Sequence, residues 1–125
     1  MNKAKFFAVA LASVMALTSS VAMAAGDAAK GKKVFKKCKA CHSIKAGKKK
    51  IGPSMFGVAG RKAGTAEGFR FSKAMKESGL TWDDATLDSF LKKPRKLIKK
   101  TKMSFGGLKK EKQRADVIAY LKTLK

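Results

Sequence analysis

Most of the side chains that carry chemistry are scarce in this chain. It has two cysteines, one histidine, two prolines, one tryptophan and one tyrosine. A structural zinc site takes four ligands, so two cysteines and one histidine do not complete one. A single bridge between cysteines three residues apart would close a tight loop of little stabilising value. Acids are scarce too, eight Asp and Glu against 30 Lys and Arg. No segment alternates apolar and polar residues with a period of two, so strands are not expected. Internal repeats and long linkers are also missing.

Long apolar runs are missing except at the start. Lys3 and Lys5 precede an apolar stretch from Phe6 to Leu17, and small residues follow up to Ala22-Met23-Ala24. This is the pattern of a secretory signal peptide, with the cut expected after Ala24. The run falls short of the ~20 residues that span a bilayer, which argues against a retained anchor. Residues 1–24 are thus expected to be a leader and residues 25–125 one small exported domain. The leader holds two basic residues and no acids, so the domain keeps 28 cations against eight acids. Such an excess favours acidic partners and makes association sensitive to salt. Export argues against nucleic acid and leaves an acidic protein face or an anionic membrane surface.

Helical signals follow. Asp27 suits the N-cap of a helix running through "AAKGKKVFKKCKAC", with Ala28, Gly31, Phe35 and Cys38 on one face. Glycine inside that helix costs stability, so Gly31 is expected at a close packing contact. Six glycines from Gly47 to Gly68, with Pro53 among them, leave that region as loops. Ser72 to Ser78 reads as a short helix stopped by Gly79. Thr81 is the expected N-cap of the next, with Asp84 completing a capping box. Pro94 ends it and opens another short one. A last helix places Val117, Tyr120, Leu121 and Leu124 on one face. The class is all-α, with about four to five helices and long loops.

Both cysteines and the only histidine fall within "CKACH", Cys38, Cys41 and His42. A redox dithiol is one meaning of C-x-x-C, but such pairs open a helix after a strand, and this one closes a predicted helix. C-x-x-C-H is the attachment motif of c-type haem. Two thiols add to the two vinyl groups on one porphyrin edge, and His42 follows closely enough to ligate the iron. One covalent haem (heme c) is therefore expected. A second axial ligand has three candidates, Met55, Met75 and Met103. Met55 stands a short loop from His42, and Met75 lies in a helix where packing explains it. Met103 sits on an irregular segment between helices, where functional groups are often placed, and is favoured over the other two.

Read in order, "GDAAKGKKVF", "CKACHSI", "GPSMFGVAGRKAG", "GLTW", "KKPRKLI", "TKMSFGG" and "RADVIAYLK" resemble class I cytochrome c, of the short bacterial type related to the mitochondrial carrier. The resemblance covers nearly all of residues 26–125. It implies a small cytochrome c fold with its loops wrapped around one haem, and Met103 as second axial ligand beside His42. It also implies that the Pro53 carbonyl orients the His42 ring, that Arg61 and Trp82 stabilise the haem propionates, and that Gly31, Phe35 and Tyr120 meet where the first and last helices cross. Phe71 and Phe90 stand where tyrosines are usual, and Lys99-Lys100 replaces a Pro-Gly. The implied protein is no enzyme but a soluble, monomeric, periplasmic one-electron carrier between a respiratory reductase or dehydrogenase and a terminal oxidase or similar acceptor. Basic residues crowd Lys30–Lys39 and Lys92–Lys102, a lysine ring for acidic redox partners, with weak association with anionic membrane as a further role. Two rival functions are a haem enzyme or gas sensor with an open sixth site, and a basic membrane-adhesion protein indifferent to haem.

Overall fold

The computed structural model describes residues 25–125, so the expected leader lies outside the described residues. Five helices follow one another: α1 (Ala28–Val34), α2 (Lys73–Glu77), α3 (Asp84–Lys92), α4 (Pro94–Leu97) and α5 (Glu111–Leu121). Among the described residues there is no strand, only an isolated bridge between Lys62 and Thr81. None of the described helices is long and apolar enough to cross a membrane.

The caps explain where the helices begin. The Asp27 carboxylate accepts the Lys30 amide at 3.1 Å, and the Ser72 hydroxyl accepts that of Met75 at 3.1 Å. Gly79, at φ 67°, follows α2 in the left-handed region that only glycine enters cheaply. For α3 the cap is Asp83, which accepts the Thr86 amide at 2.8 Å; the expected cap, Thr81, is wrong. Thr81 is held extended by its bridge, and the Trp82 amide donates to the Arg61 carbonyl at 2.9 Å, so the chain turns helical only afterwards. Pro94 occupies the first turn of α4, where its missing N–H costs nothing.

α1 also ends earlier than its periodicity suggests. After Val34 the chain tightens into a 3₁₀ turn, Phe35–Lys37, and the cysteine stretch is a turn rather than helix. The tightening lets the chain double back, and the Gly52 amide then donates to the Cys41 carbonyl at 2.8 Å.

α1 packs across α5, and α5 also lies against α3. At the α1–α5 crossing a Cβ on Gly31 would collide with the Asp116 carbonyl and stand 2.8 Å from the Tyr120 Cβ. The Phe35 and Tyr120 rings meet there at 5.3 Å. The core continues through Leu87, Phe90, Ile98, Leu108, Val117, Ile118 and Leu121. The long segment between the 3₁₀ turn and α2 has no helix, yet it is stitched down: Met55 to Ser43, Gly60 to Trp82 and Ala63 to Leu80, each at 2.8 Å. An irregular segment of that length inside a small domain is a functional signal.

Candidate haem site

His42 is the fixed point. Its Nδ1 lies 2.7 Å from the Pro53 carbonyl oxygen, and because a carbonyl only accepts, Nδ1 carries the proton. Nε2 is thereby left with its lone pair free, the tautomer a metal requires. Burial pushes the imidazole pKa down, against the smaller opposing pull of the Pro53 bond, so the ring is neutral at pH 7. Gly52 closes the arrangement from behind. A Cβ there would collide with Cε1 of the ring and lie 2.8 Å from Nδ1.

Cys38 and Cys41 are half-buried, and both thiols are free. Burial raises the Cys38 pKa, the neighbouring Cys41 adds to this, and Lys37 opposes it. Two unpaired thiols beside one oriented imidazole form the donor set that C-x-x-C-H supplies to haem. They are a poor structural disulfide and an incomplete zinc site, and the described residues hold no cluster of three metal-binding side chains. The residues present fit the group.

Met103 lies between α4 and α5, half-buried and packed against the core, while its amide donates to the Thr101 hydroxyl at 3.3 Å. Of its competitors, Met75 is a core residue of α2, and Met55 packs on the core just beyond Pro53. Arg61 and Trp82 are brought together by their backbones. The Arg61 guanidinium donates to the Phe56 carbonyl at 3.0 Å, and partial burial pushes its pKa down. Trp82 is buried with its ring 4.9 Å from that of Phe90. Phe71 is half-buried and meets Phe69 edge-on at 4.8 Å.

Comparison with known proteins agrees with this geometry. The family model described as Cytochrome c matches residues 28–125. The chain belongs to the cytochrome c family. Cytochrome c2 of Rhodomicrobium vannielii is 48% identical over 120 residues, covering 95% of this chain and 96% of that protein. Cytochrome c2 of Rhodoblastus acidophilus is 53% identical over 102 residues, 81% and 95% of the two chains. The solved structure of cytochrome cH from Methylobacterium extorquens superposes with a TM-score of 0.75 at 52% identity, covering 78% of this chain and 99% of that one. The chain is therefore a class I c-type cytochrome of all-α fold, an electron-transfer haem protein whose single haem c is held through Cys38 and Cys41.

Two features escaped the sequence. Gly52 was one loop glycine among many, and nothing local ties it to the histidine ten residues away. Arg114 and Asp116 are both only 4% exposed, although charged residues in a helix are expected at the surface. A signal for Arg114 existed: counted back from Val117, Ile118 and Leu121, it continues the apolar stripe of α5.

Proposed function

We propose that the protein is a soluble, periplasmic, diffusible one-electron carrier, working as a monomer after removal of residues 1–24. His42 and Met103 would hold the haem iron, the one through its imidazole and the other through its thioether. The observation that carries this reading is the His42–Pro53 hydrogen bond, which commits the only imidazole of the chain to a metal-binding tautomer beside both thiols. Haem supplies a centre that cycles between ferrous and ferric iron. The residues set its terms. Pro53 holds the ring and raises its basicity, and the Met103 thioether favours the ferrous state, as does the apolar wall built by Trp82, Phe90 and their neighbours. Arg61 and the Trp82 indole would neutralise and hydrogen-bond the propionates, as the family resemblance implies. A haem held by both His42 and Met103 would offer no open site to a substrate, which favours electron transfer over catalysis.

The partners are acidic redox proteins, a reductase or dehydrogenase on one side and a terminal oxidase or similar acceptor on the other. Beside the loop that carries Met103, an open cleft of about 450 Å³ is lined by Lys93, Arg95, Lys96 and Phe105. Cations around an aromatic side chain suit short-lived docking of an acidic surface. Weak association with anionic membrane follows from the same charge.

The test uses protein matured in a host with cytochrome assembly machinery. One haem per chain should survive acid-acetone extraction, the polypeptide should begin at Ala25, and the ferric form should be low-spin with a weak far-red band from sulfur–iron ligation. Extractable haem would overturn attachment through Cys38 and Cys41. A high-spin ferric spectrum would overturn the carrier in favour of a haem enzyme or gas sensor.

A further inference from the structure

The backbone of the segment between α4 and α5 is hydrogen-bonded to other backbone only at its ends, although Met103 and Phe105 pack against the core. Among the described residues, no backbone–backbone hydrogen bond is formed by residues 102–107. Upstream, the Thr101 amide donates to the Ile98 carbonyl at 3.1 Å, and Ile98 is buried. This turn closes with Lys99-Lys100 at its exposed corner. Downstream the fastening is stronger and more polar. The Leu108 amide donates to the Leu91 carbonyl of α3 at 2.7 Å, and the Leu108 side chain is buried. Gly107, at φ 109°, lies so close to α3 that a Cβ would stand 2.8 Å from the Lys92 carbonyl carbon.

Arg114 completes this end. One of its terminal nitrogens donates to the carbonyls of both Leu108 and Lys109, each at 2.9 Å, and its Nε donates to the Asp88 carboxylate at 2.7 Å. A single buried guanidinium thus joins α5, α3 and the end of the Met103 segment. Lysine, with a point charge on a flexible stem, does not reproduce that planar set of donors. In a chain with 26 lysines and four arginines the choice is specific. Removing the guanidinium would leave one buried carbonyl, one partly buried carbonyl and a carboxylate without their partner.

We propose that Arg114, braced by Asp88, is a positioning residue for the axial sulfur: it fixes the downstream end of the loop and so sets how readily Met103 leaves the iron. The proposal rests on the assignment of Met103 as ligand. It predicts that loosening the clamp raises the population of loop-open states, which any external ligand then reports.

The experiment measures imidazole Kd on the ferric holoprotein, the far-red sulfur–iron band and the denaturant midpoint, for Arg114→Gln, Arg114→Lys and Asp88→Asn. Tyr120→Leu, which loosens the α1–α5 crossing instead, serves as control. Imidazole should bind roughly tenfold tighter to Arg114→Gln. Asp88→Asn, at a partly exposed site, should show a smaller gain, and Arg114→Lys should not restore the wild-type Kd. Tyr120→Leu should lower the midpoint without tightening imidazole binding. If Arg114→Gln gains no more imidazole affinity than Tyr120→Leu, the clamp is overturned while Met103 stands. If Arg114→Gln yields no holoprotein, Asp88→Asn decides, and an unchanged Kd there overturns the clamp. A wild-type ferric protein without the far-red band overturns the Met103 assignment and the clamp together.

Discussion

His42 is set by two neighbours of different kinds, one attractive and one that works by leaving room. Pro53 supplies a carbonyl, and its ring fixes the local backbone so that the acceptor is preorganised. Gly52 supplies the absence of a side chain against the imidazole. Gly52→Ala should therefore act as overpacking at the ligand, costing about 1–3 kcal/mol. The check is a denaturant titration of the holoprotein together with the ferric spectrum. Stability should fall and the His-ligated spectrum should shift, because the ring has to move for the methyl group to fit. A variant with wild-type stability and spectrum would mean that the loop relaxes instead. Local composition alone made Cys38, Cys41 and His42 legible, since covalent chemistry fixes their spacing. The role of Gly52 was not legible, because the need for a missing Cβ arises only when the loop returns to its histidine.

Helix starts were readable where a short polar side chain meets the first amides, as at Asp27 and Ser72. Thr81 misled because tertiary pairing with Lys62 outweighed a good local capping pattern. The crossing of α1 and α5 shows the two scales acting together. On an exposed helix Gly→Ala gains about 1 kcal/mol, yet at Gly31 the new methyl would enter the Asp116 carbonyl. Gly31→Ala should thus destabilise the holoprotein, a reversal of sign measurable by thermal or denaturant unfolding. Asp116 adds a dependence on pH at the same crossing. Its buried carboxylate accepts the Asp27 amide at 2.8 Å and sits 3.3 Å from Lys112. The Asp27 bond pulls its pKa down, burial opposes this, and Lys112 helps. A carboxylate whose pKa is lower folded than unfolded stabilises above the ordinary value of about 4, and that contribution is lost as pH falls through the folded value. Asp116→Asn should flatten the fall in stability below about pH 4 while lowering stability at neutral pH, as read from unfolding curves across that range. An acid limb with the same slope in both proteins would assign the acid sensitivity to other carboxylates.

Charge acts on the whole molecule. Four of the eight acids, Glu77, Asp84, Asp88 and Asp116, are already engaged in salt bridges with Lys73, Lys122, Arg114 and Lys112. These pairs involve α2, α3, α5 and Lys122 just beyond it, whereas the docking face proposed for Lys30–Lys39 and Lys92–Lys102 flanks the cysteines and Met103 in the sequence. The cation count was plain from composition, but the pairing of half the acids needed the fold, because Asp84–Lys122 and Asp88–Arg114 join distant parts of the chain. An asymmetric field steers a partner, whereas a uniform one only raises encounter frequency. Lys37, Lys102 and Lys125 are all exposed and change net charge equally when reversed to Glu, which makes them a fair comparison. Electron transfer to an acidic acceptor should slow steeply as salt rises, since the Debye length shortens to ~8 Å at ~0.15 M. At low salt Lys37→Glu and Lys102→Glu should slow the second-order rate more than Lys125→Glu, which the resemblance to cytochrome c makes remote from the docking face. Stopped-flow rates over a salt series separate the cases. Three equal decreases would mean that net charge alone attracts the partner, and that the lysines flanking the haem cysteines and Met103 form no docking face.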